Sequence, residues 1–459
     1  MPRLFHDALV LPVDDRRPFF RGWLLADDDG LIAGLGEGEP PAEVWGAADD
    51  RVDLGGAFLA PGFISAHSHL FTSGMRGFTP DSTLYPWVAS QVEFIAGADA
   101  EDLYWFTLHG SFDVLAAGTT SAYNFTDSRF AGRYDPDLDR RVVLAERPPA
   151  YTERQVEACR DAGLRTMSAF RLDPDLQDLD TAFEVFAGAV EHVRDSVPAA
   201  LSLDASVFGA AQWSDDPTQA AHEVTVMDRH GVGNQAHLLE TAEALDQQRI
   251  KVQHYADAGA LRPGFLFGHF VHADDATAAM VADSGAGMVW QPCSNGRLGS
   301  GIADVARNLE LDMPVGMGLD DQSCTDAADP FQNMRIGMFS LRALRSDAAV
   351  MSPSTVLRLH TLASAEALGV ADRVGSLEVG KHADLLVVDP KRPDTGPVWD
   401  PVSHYVLAMT QRNLVSVWSG GVEVARDGAC LDPLAERAVT ELHARAATVG
   451  AKLGRFPAA

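Results

Sequence analysis

Short apolar runs recur along the chain, separated by polar loops and by stretches such as 275–284 whose apolar positions fall at helical spacing. Eight runs stand out, at 58–66, 118–125, 164–170, 201–207, 232–238, 264–270, 286–291 and 314–319. A strand that leads into a helix, repeated eight times, predicts an α/β fold of the TIM-type (β/α)8 barrel class. The two ends of the chain follow a different rhythm. Residues 1 to about 58 read as short strands and turns, among them Asp27-Asp28-Asp29-Gly30 before Leu31-Ile32-Ala33-Gly34-Leu35. Beyond about 372 the strand pattern returns at 375–381, 383–389, 414–418 and 421–425, and 433–452 reads as a closing helix. Pairing of the two ends gives a small β-sandwich. The expected organisation is 1–58 as its N-terminal part, 59–372 as the barrel, and 373–459 as its C-terminal part plus the closing helix. The acidic clusters at 27–29 and 135–139 lack Ca-loop spacing and are read as solvated turns.

Length and charge narrow the function. A chain of 459 residues suits a large barrel with an accessory domain. Its 65 acidic and 36 basic residues give a formal charge of -29, which argues against nucleic-acid or membrane partners. The N-terminus lacks the apolar segment of a signal peptide, and no run approaches a bilayer span, so the expected compartment is the cytoplasm. Cys159, Cys293, Cys324 and Cys430 are scattered and form no CxxC pair, as expected of reduced thiols.

The candidate chemistry sits at the ends of the predicted strands. In Pro61-Gly62-Phe63-Ile64-Ser65-Ala66-His67-Ser68-His69, two imidazoles one residue apart point to the same side of a strand. An isolated pair of this kind is as readily a pair of packed histidines. Three further matches shift that balance. The fifth run ends in His237, with Glu240 three residues on; the sixth carries His269 and His272; the eighth ends in Asp320-Asp321. Four strands of one barrel thus deliver imidazole or carboxylate to the rim where barrel active sites lie, and the donor types suit zinc or iron(II).

With these motifs the chain resembles the amidohydrolase superfamily, in particular its cytosine-deaminase-like branch of triazine chlorohydrolases, guanine deaminases and adenosylhomocysteine-type deaminases. The resemblance extends to Leu84-Tyr85-Pro86-Trp87-Val88, similar to a loop near the substrate pocket of these enzymes, and to Gly118-Thr119-Thr120. It also takes in Pro292-Cys293-Ser294-Asn295 through Gly301 and the segment from Gly375 to Asp389. It implies His67, His69 and His237 as ligands of one divalent metal, zinc before iron(II), with Asp320 on the metal or its water. It implies Glu240 as proton shuttle, His269 as the group that polarises the water or the adduct, and His272 as an outer position. Zinc lowers the pKa of bound water to about 7, so a hydroxide could attack a ring carbon while Asp320 takes the proton.

The implied activity is hydrolytic deamination of an amino-substituted nitrogen heterocycle of nucleobase, pterin or triazine type, with release of ammonia. The same chemistry serves chloride or alkylamine displacement or cyclic-amide opening, and an inactive barrel used for binding is the remaining alternative. The implied partners are a small heterocyclic substrate and a second copy of the chain, as homodimer or higher homo-oligomer. No Lys occurs between Met1 and Ile250, which disfavours sites with two metals bridged by a carbamylated lysine. The chain departs from the branch at Leu203–Gly209, at Trp290-Gln291 and at Asp321-Gln322, and Arg76, Trp87, Gln91, Asn124 and Asn295 are further pocket candidates.

Overall fold

The computed structural model describes residues 1–135, 140–173, 177–214 and 216–455. The acidic cluster at 135–139 falls almost wholly outside them. Eight parallel strands follow one another around the barrel: Phe63–His69, Thr119–Phe125, Arg165–Arg171, Ser202–Gly209, Gly233–Leu238, Phe265–His269, Gly287–Trp290, and Val315–Met317 continued by Asp320–Asp321. The last strand lies at both ends of the sheet order. Val315–Met317 pairs with the seventh strand and Asp320–Asp321 with the first, through Asp320 opposite Ser68 and Asp321 opposite His69. The sheet therefore closes into the expected (β/α)8 barrel. Its first and second strands are buried along their whole length, as strands covered on both faces must be. Helix starts are set locally: Asp178, Asp274 and Asp329 each accept a hydrogen bond from the backbone N–H three residues on.

The chain ends build a second, mostly antiparallel sheet in the order Ala429–Cys430, Val422–Arg426, Leu414–Ser419, Leu385–Val388, Phe58–Pro61, Arg3–Val10, Phe20–Ala26 and Ile32–Glu37, with Asp50–Asp53 beside Arg3–Val10. The expected strand at 58–66 is thus two strands. Phe58–Pro61 belongs to the end sheet, paired with Leu385–Val388, and only Phe63–His69 belongs to the barrel. Gly62 makes the change of sheet: its N–H donates to the Asp384 carbonyl at 3.0 Å, and a Cβ there would lie 2.1 Å from Thr120 Oγ1. A second correction concerns 375–381, which is a turn segment rather than a strand. Gly375 and Gly380 adopt positive φ, and Lys381 Nζ folds back on Ser376 Oγ at 2.6 Å and Glu378 Oε2 at 2.9 Å, so no ladder forms. The closing helix is Leu434–Lys452. Asp27 Oδ1 accepts from the N–H groups of Asp29 and Leu31, the signature of a local turn. Among the described residues no helix is long and apolar enough to cross a membrane.

By contacts the chain divides into two compact units. One comprises 1–66, 113–121 and 328–432, and holds the end sheet with a core of Phe5, Leu24, Leu59, Leu385 and Trp418. The other comprises 67–112, 122–327 and 433–459 and carries every candidate metal-binding residue; within it Leu442 and Val449 of the closing helix pack on Phe71, Phe94 and Phe106.

His360, in the first unit, is fully buried between two partners: Nδ1 donates to the Ile64 carbonyl at 3.0 Å and Nε2 accepts from Asn333 Nδ2 at 3.2 Å. Burial pushes its pKa down to about 4. The unfolded chain takes up a proton there near pH 6.5, whereas the native ring stays neutral until about pH 4, so its neutral burial costs stability progressively as pH falls through that window. The stability gap between wild type and His360→Gln is expected to shrink by up to about 3 kcal/mol between pH 7 and pH 4. Urea midpoints across that range would read it, and a gap that stays constant would refute the assignment.

Candidate metal centre

Period-two geometry on the first strand turns His67 and His69 to one side at its C-terminal end, and His237 arrives from the end of the fifth strand. Their Nε2 atoms converge. His69 Nε2 lies 3.3 Å from His67 Nε2 and 3.1 Å from His237 Nε2, and Asp320 Oδ1 stands 3.5 Å from His67 Nε2 and 3.9 Å from His69 Nε2. The edge of a tetrahedron of zinc–nitrogen bonds is about 3.4 Å, so the spacing of these nitrogens fits such an ion. All four side chains are buried.

The protonation pattern suits a cation. Burial and the neighbouring imidazoles push the pKa of His69 down to about 3, and the same causes hold His237 well below the usual imidazole range. Both rings therefore offer lone pairs at neutral pH. The proton of His67 is placed by Gln235: Nδ1–H donates to Gln235 Oε1, which leaves Nε2 facing the cluster. Gln235 escaped the sequence reading. The signal for it was its position two residues before His237, on the same face of the strand. Outer partners of this kind orient metal-binding rings, and Gln235→Leu is expected to weaken metal affinity about 10- to 100-fold without unfolding the barrel. Competition with a zinc-binding dye measures this; unchanged affinity would leave Gln235 a packing residue only.

Glu240, buried just beyond His237, is brought to His269, with Oε2 at 3.5 Å from His269 Nε2. That same nitrogen is 3.8 Å from Asp320 Oδ2. Burial first, and the charge of Asp320 second, raise the Glu240 carboxyl well above its ordinary range. Burial also opposes ionisation of Asp320, but the imidazoles of His269, His67 and His69 around it outweigh burial and hold this carboxyl well below the usual range. Its neighbour Asp321 goes the other way, raised by burial and by Asp320. His269 is kept neutral by burial, its pKa down to about 3. Asn295 Nδ2 donates to its Nδ1 at 2.8 Å, so the ring proton sits on Nε2, aimed between Glu240 and Asp320.

Backbone strain accompanies these placements. His269 and Asp320 both have positive φ, at 68° and 66°, as does Leu239 at 58° just before Glu240. Gly318 passes close to the first strand, where a Cβ would lie 2.6 Å from that of His67.

The other candidates fall into place around the cluster. His272 bonds the Ser300 carbonyl at 2.7 Å and stays at the rim. Asn124 accepts from the Leu70 N–H at 3.1 Å. Trp290 is a fully buried strand residue. Leu84–Val88, read as part of a loop, opens the helix Leu84–Ala96, and Trp87 Nε1 there donates to the Ser323 carbonyl at 3.2 Å. Phe208, from the departing fourth-strand segment, packs at 5.4 Å from the His237 ring, and Asp321 Oδ2 lies 3.7 Å from His69 Nε2.

Comparison with known proteins gives three findings. The sequence model of the amidohydrolase family matches residues 58–424. A 5-methylthioadenosine/S-adenosylhomocysteine deaminase of Syntrophobacter fumaroxidans is 28% identical over 88% of each chain. Among solved structures, an adenosine deaminase from Xanthomonas campestris with bound zinc superposes with a TM-score of 0.84 at 21% identity, over 97% of this chain and 98% of that one. An atrazine chlorohydrolase from Arthrobacter aurescens complexed with zinc gives 0.83 at 18% identity, over 97% and 100%. At such identities these structures establish the shared fold.

Proposed function

Because the chain belongs to the amidohydrolase family, we propose that it is a hydrolytic deaminase of an amino-substituted nitrogen heterocycle, with one divalent metal, zinc before iron(II), held by His67, His69, His237 and Asp320. The observation that carries this reading is the convergence of three buried imidazoles and one carboxylate held well below its usual range, beside a second carboxyl held well above it. The deaminase name of the Syntrophobacter relative supports the same direction.

A divalent metal held by His67, His69, His237 and Asp320 would supply Lewis acidity, enough to bring the pKa of a bound water to about 7. Asp320, at the edge of the cluster and held well below the usual carboxyl range, is placed to accept a proton from the attacking water. Burial and the charge of Asp320 favour the protonated form of Glu240, so it is suited to deliver a proton to a ring nitrogen and receive one back for the departing amine. His269, with its proton fixed on Nε2 by Asn295, donates towards the side where negative charge develops. Burial and Asp320 favour the protonated form of Asp321, which leaves Asp320 as the more acidic member of the pair.

The test is ammonia release by the zinc-loaded protein from a panel of aminopyrimidines, aminopurines, pterins and aminotriazines. Release from one ring class supports the reading; silence with metal bound would turn it towards another leaving group, such as the chloride that the name of the Arthrobacter enzyme specifies.

The active form is proposed to be a homodimer or higher homo-oligomer, supported by the large exposed side chains Phe339, Leu344, Trp399 and Leu407 of one unit. Sedimentation showing monomer alone at micromolar concentration would remove this part.

A further inference from the structure

We infer that Gln91 and Gln212 read a second edge of the heterocycle, so that the substrate carries, besides the amino group that leaves, an uncharged edge with a hydrogen-bond donor next to an acceptor. This deepens the deaminase reading and rests on it. Both side chains are more than nine-tenths buried, at 7% and 6% exposure. Among the described residues, neither the nitrogen nor the oxygen of either carboxamide has a hydrogen-bond partner. Buried amides almost always find partners, because leaving water without one is costly. Two complete carboxamides without partners therefore point to a group that arrives from outside.

Their position says which group. Gln212 lies in the turn Ala211–Trp213, directly after the fourth barrel strand and so at the barrel end that carries the metal cluster. The turn is held from below by Lys251 Nζ, which donates to the Gln212 carbonyl at 2.6 Å. Trp213 meets Tyr85 edge-on at 6.3 Å, and Tyr85 is on the helix Leu84–Ala96 that also bears Gln91. Leu84, Trp87 and Gln91 succeed one another at i, i+3 and i+7 and share one face of that helix. This face leads to the cluster: Leu84 and Trp87 pack with Cys324, whose Sγ lies within 4.8 Å of carboxylate oxygens of Asp320 and Asp321. One helix thus ties both carboxamides to the loops around the metal-binding residues.

A primary carboxamide presents N–H and C=O side by side. It matches, in two hydrogen bonds, a ring nitrogen beside an exocyclic amine or a lactam N–H beside its carbonyl, as Asn and Gln do with adenine. Being neutral, it suits a neutral ring. Aminopyrimidines, purines and triazines with a second amidine or lactam edge satisfy this, whereas a ring whose only exocyclic group is the departing amine does not.

The experiment is calorimetric titration of the zinc-loaded protein with 2,4-diaminopyrimidine and with 4-aminopyrimidine, which lacks the second amidine edge. The diamino ring is expected to bind at least about ten-fold more tightly. Gln91→Met and Gln212→Met, which keep the side-chain volume, are each expected to erase that preference and, wherever a ring is turned over, to raise KM with kcat little changed. Equal affinity of the two rings for wild type, absence of binding by both, or a preference intact in both variants would overturn the inference. Binding with the predicted preference but without ammonia release would count against the deaminase reading and not against the two glutamines.

Discussion

Replacing Asp320 by asparagine is expected to lower ammonia release by about 10^4-fold or more, with the barrel still folded. The loss should be this large because one side chain serves two ends. It stands 3.5 Å from His67 Nε2 as part of the cluster, and in the proposed reaction it is the carboxylate that takes the proton of the attacking water. Asparagine retains the size and one oxygen acceptor but cannot accept a proton, and loss of a positioned base alone costs about 10^2- to 10^4-fold. The weakened metal site adds to that. Circular dichroism establishes the fold, metal content after gel filtration gives the binding component, and turnover in excess zinc gives the rest. Activity within ten-fold of wild type would exclude Asp320 as the base.

Glu240→Gln is expected to separate acid–base chemistry from metal binding. The carboxyl of Glu240 lies 3.5 Å from His269 Nε2, and burial and the charge of Asp320 raise its pKa well above the ordinary range. Glutamine preserves the shape and one N–H donor but carries no transferable proton. Metal content should therefore stay at the wild-type level, while kcat and kcat/KM fall together by about 10^2- to 10^4-fold. The loss should be smaller on an analogue whose leaving group departs without a proton, such as chloride, because one of the two transfers is then unnecessary. An equal loss on both kinds of substrate would make Glu240 a positioning residue rather than the shuttle, and loss of metal would place it in the cluster.

Periodicity in the chain is enough to predict eight strands, the rim on which polar groups gather and the origin of the second sheet from both termini. These features follow from short-range rules: alternation on a strand fixes which side chains share a face, and a parallel strand covered on both faces must be apolar along its length. For the same reason His67, His69, His237, His269 and Asp320 are legible as strand-end residues, and the structure brings all five together with Glu240. Local pattern misleads where long-range pairing decides. The run 58–66 is apolar apart from Ser65, and Pro61-Gly62 signals a break in it, but only the pairing of its two halves shows that the chain leaves one sheet for another there. The segment 375–381 alternates like a strand, but its glycines and the Lys381–Glu378 pair fold it back.

The sequence by itself determined the fold class and the kinds of donor at the barrel rim, since both depend on residue type and spacing along single elements. Only the tertiary structure decided protonation and partnership. Gln235 sets the proton of His67, Asn295 sets that of His269, and Asp320 is held well below the usual carboxyl range while Asp321 and Glu240 are held well above it. Each of these states depends on burial and on charges contributed by strands far apart in the chain, and such proximities come into being only when the barrel closes.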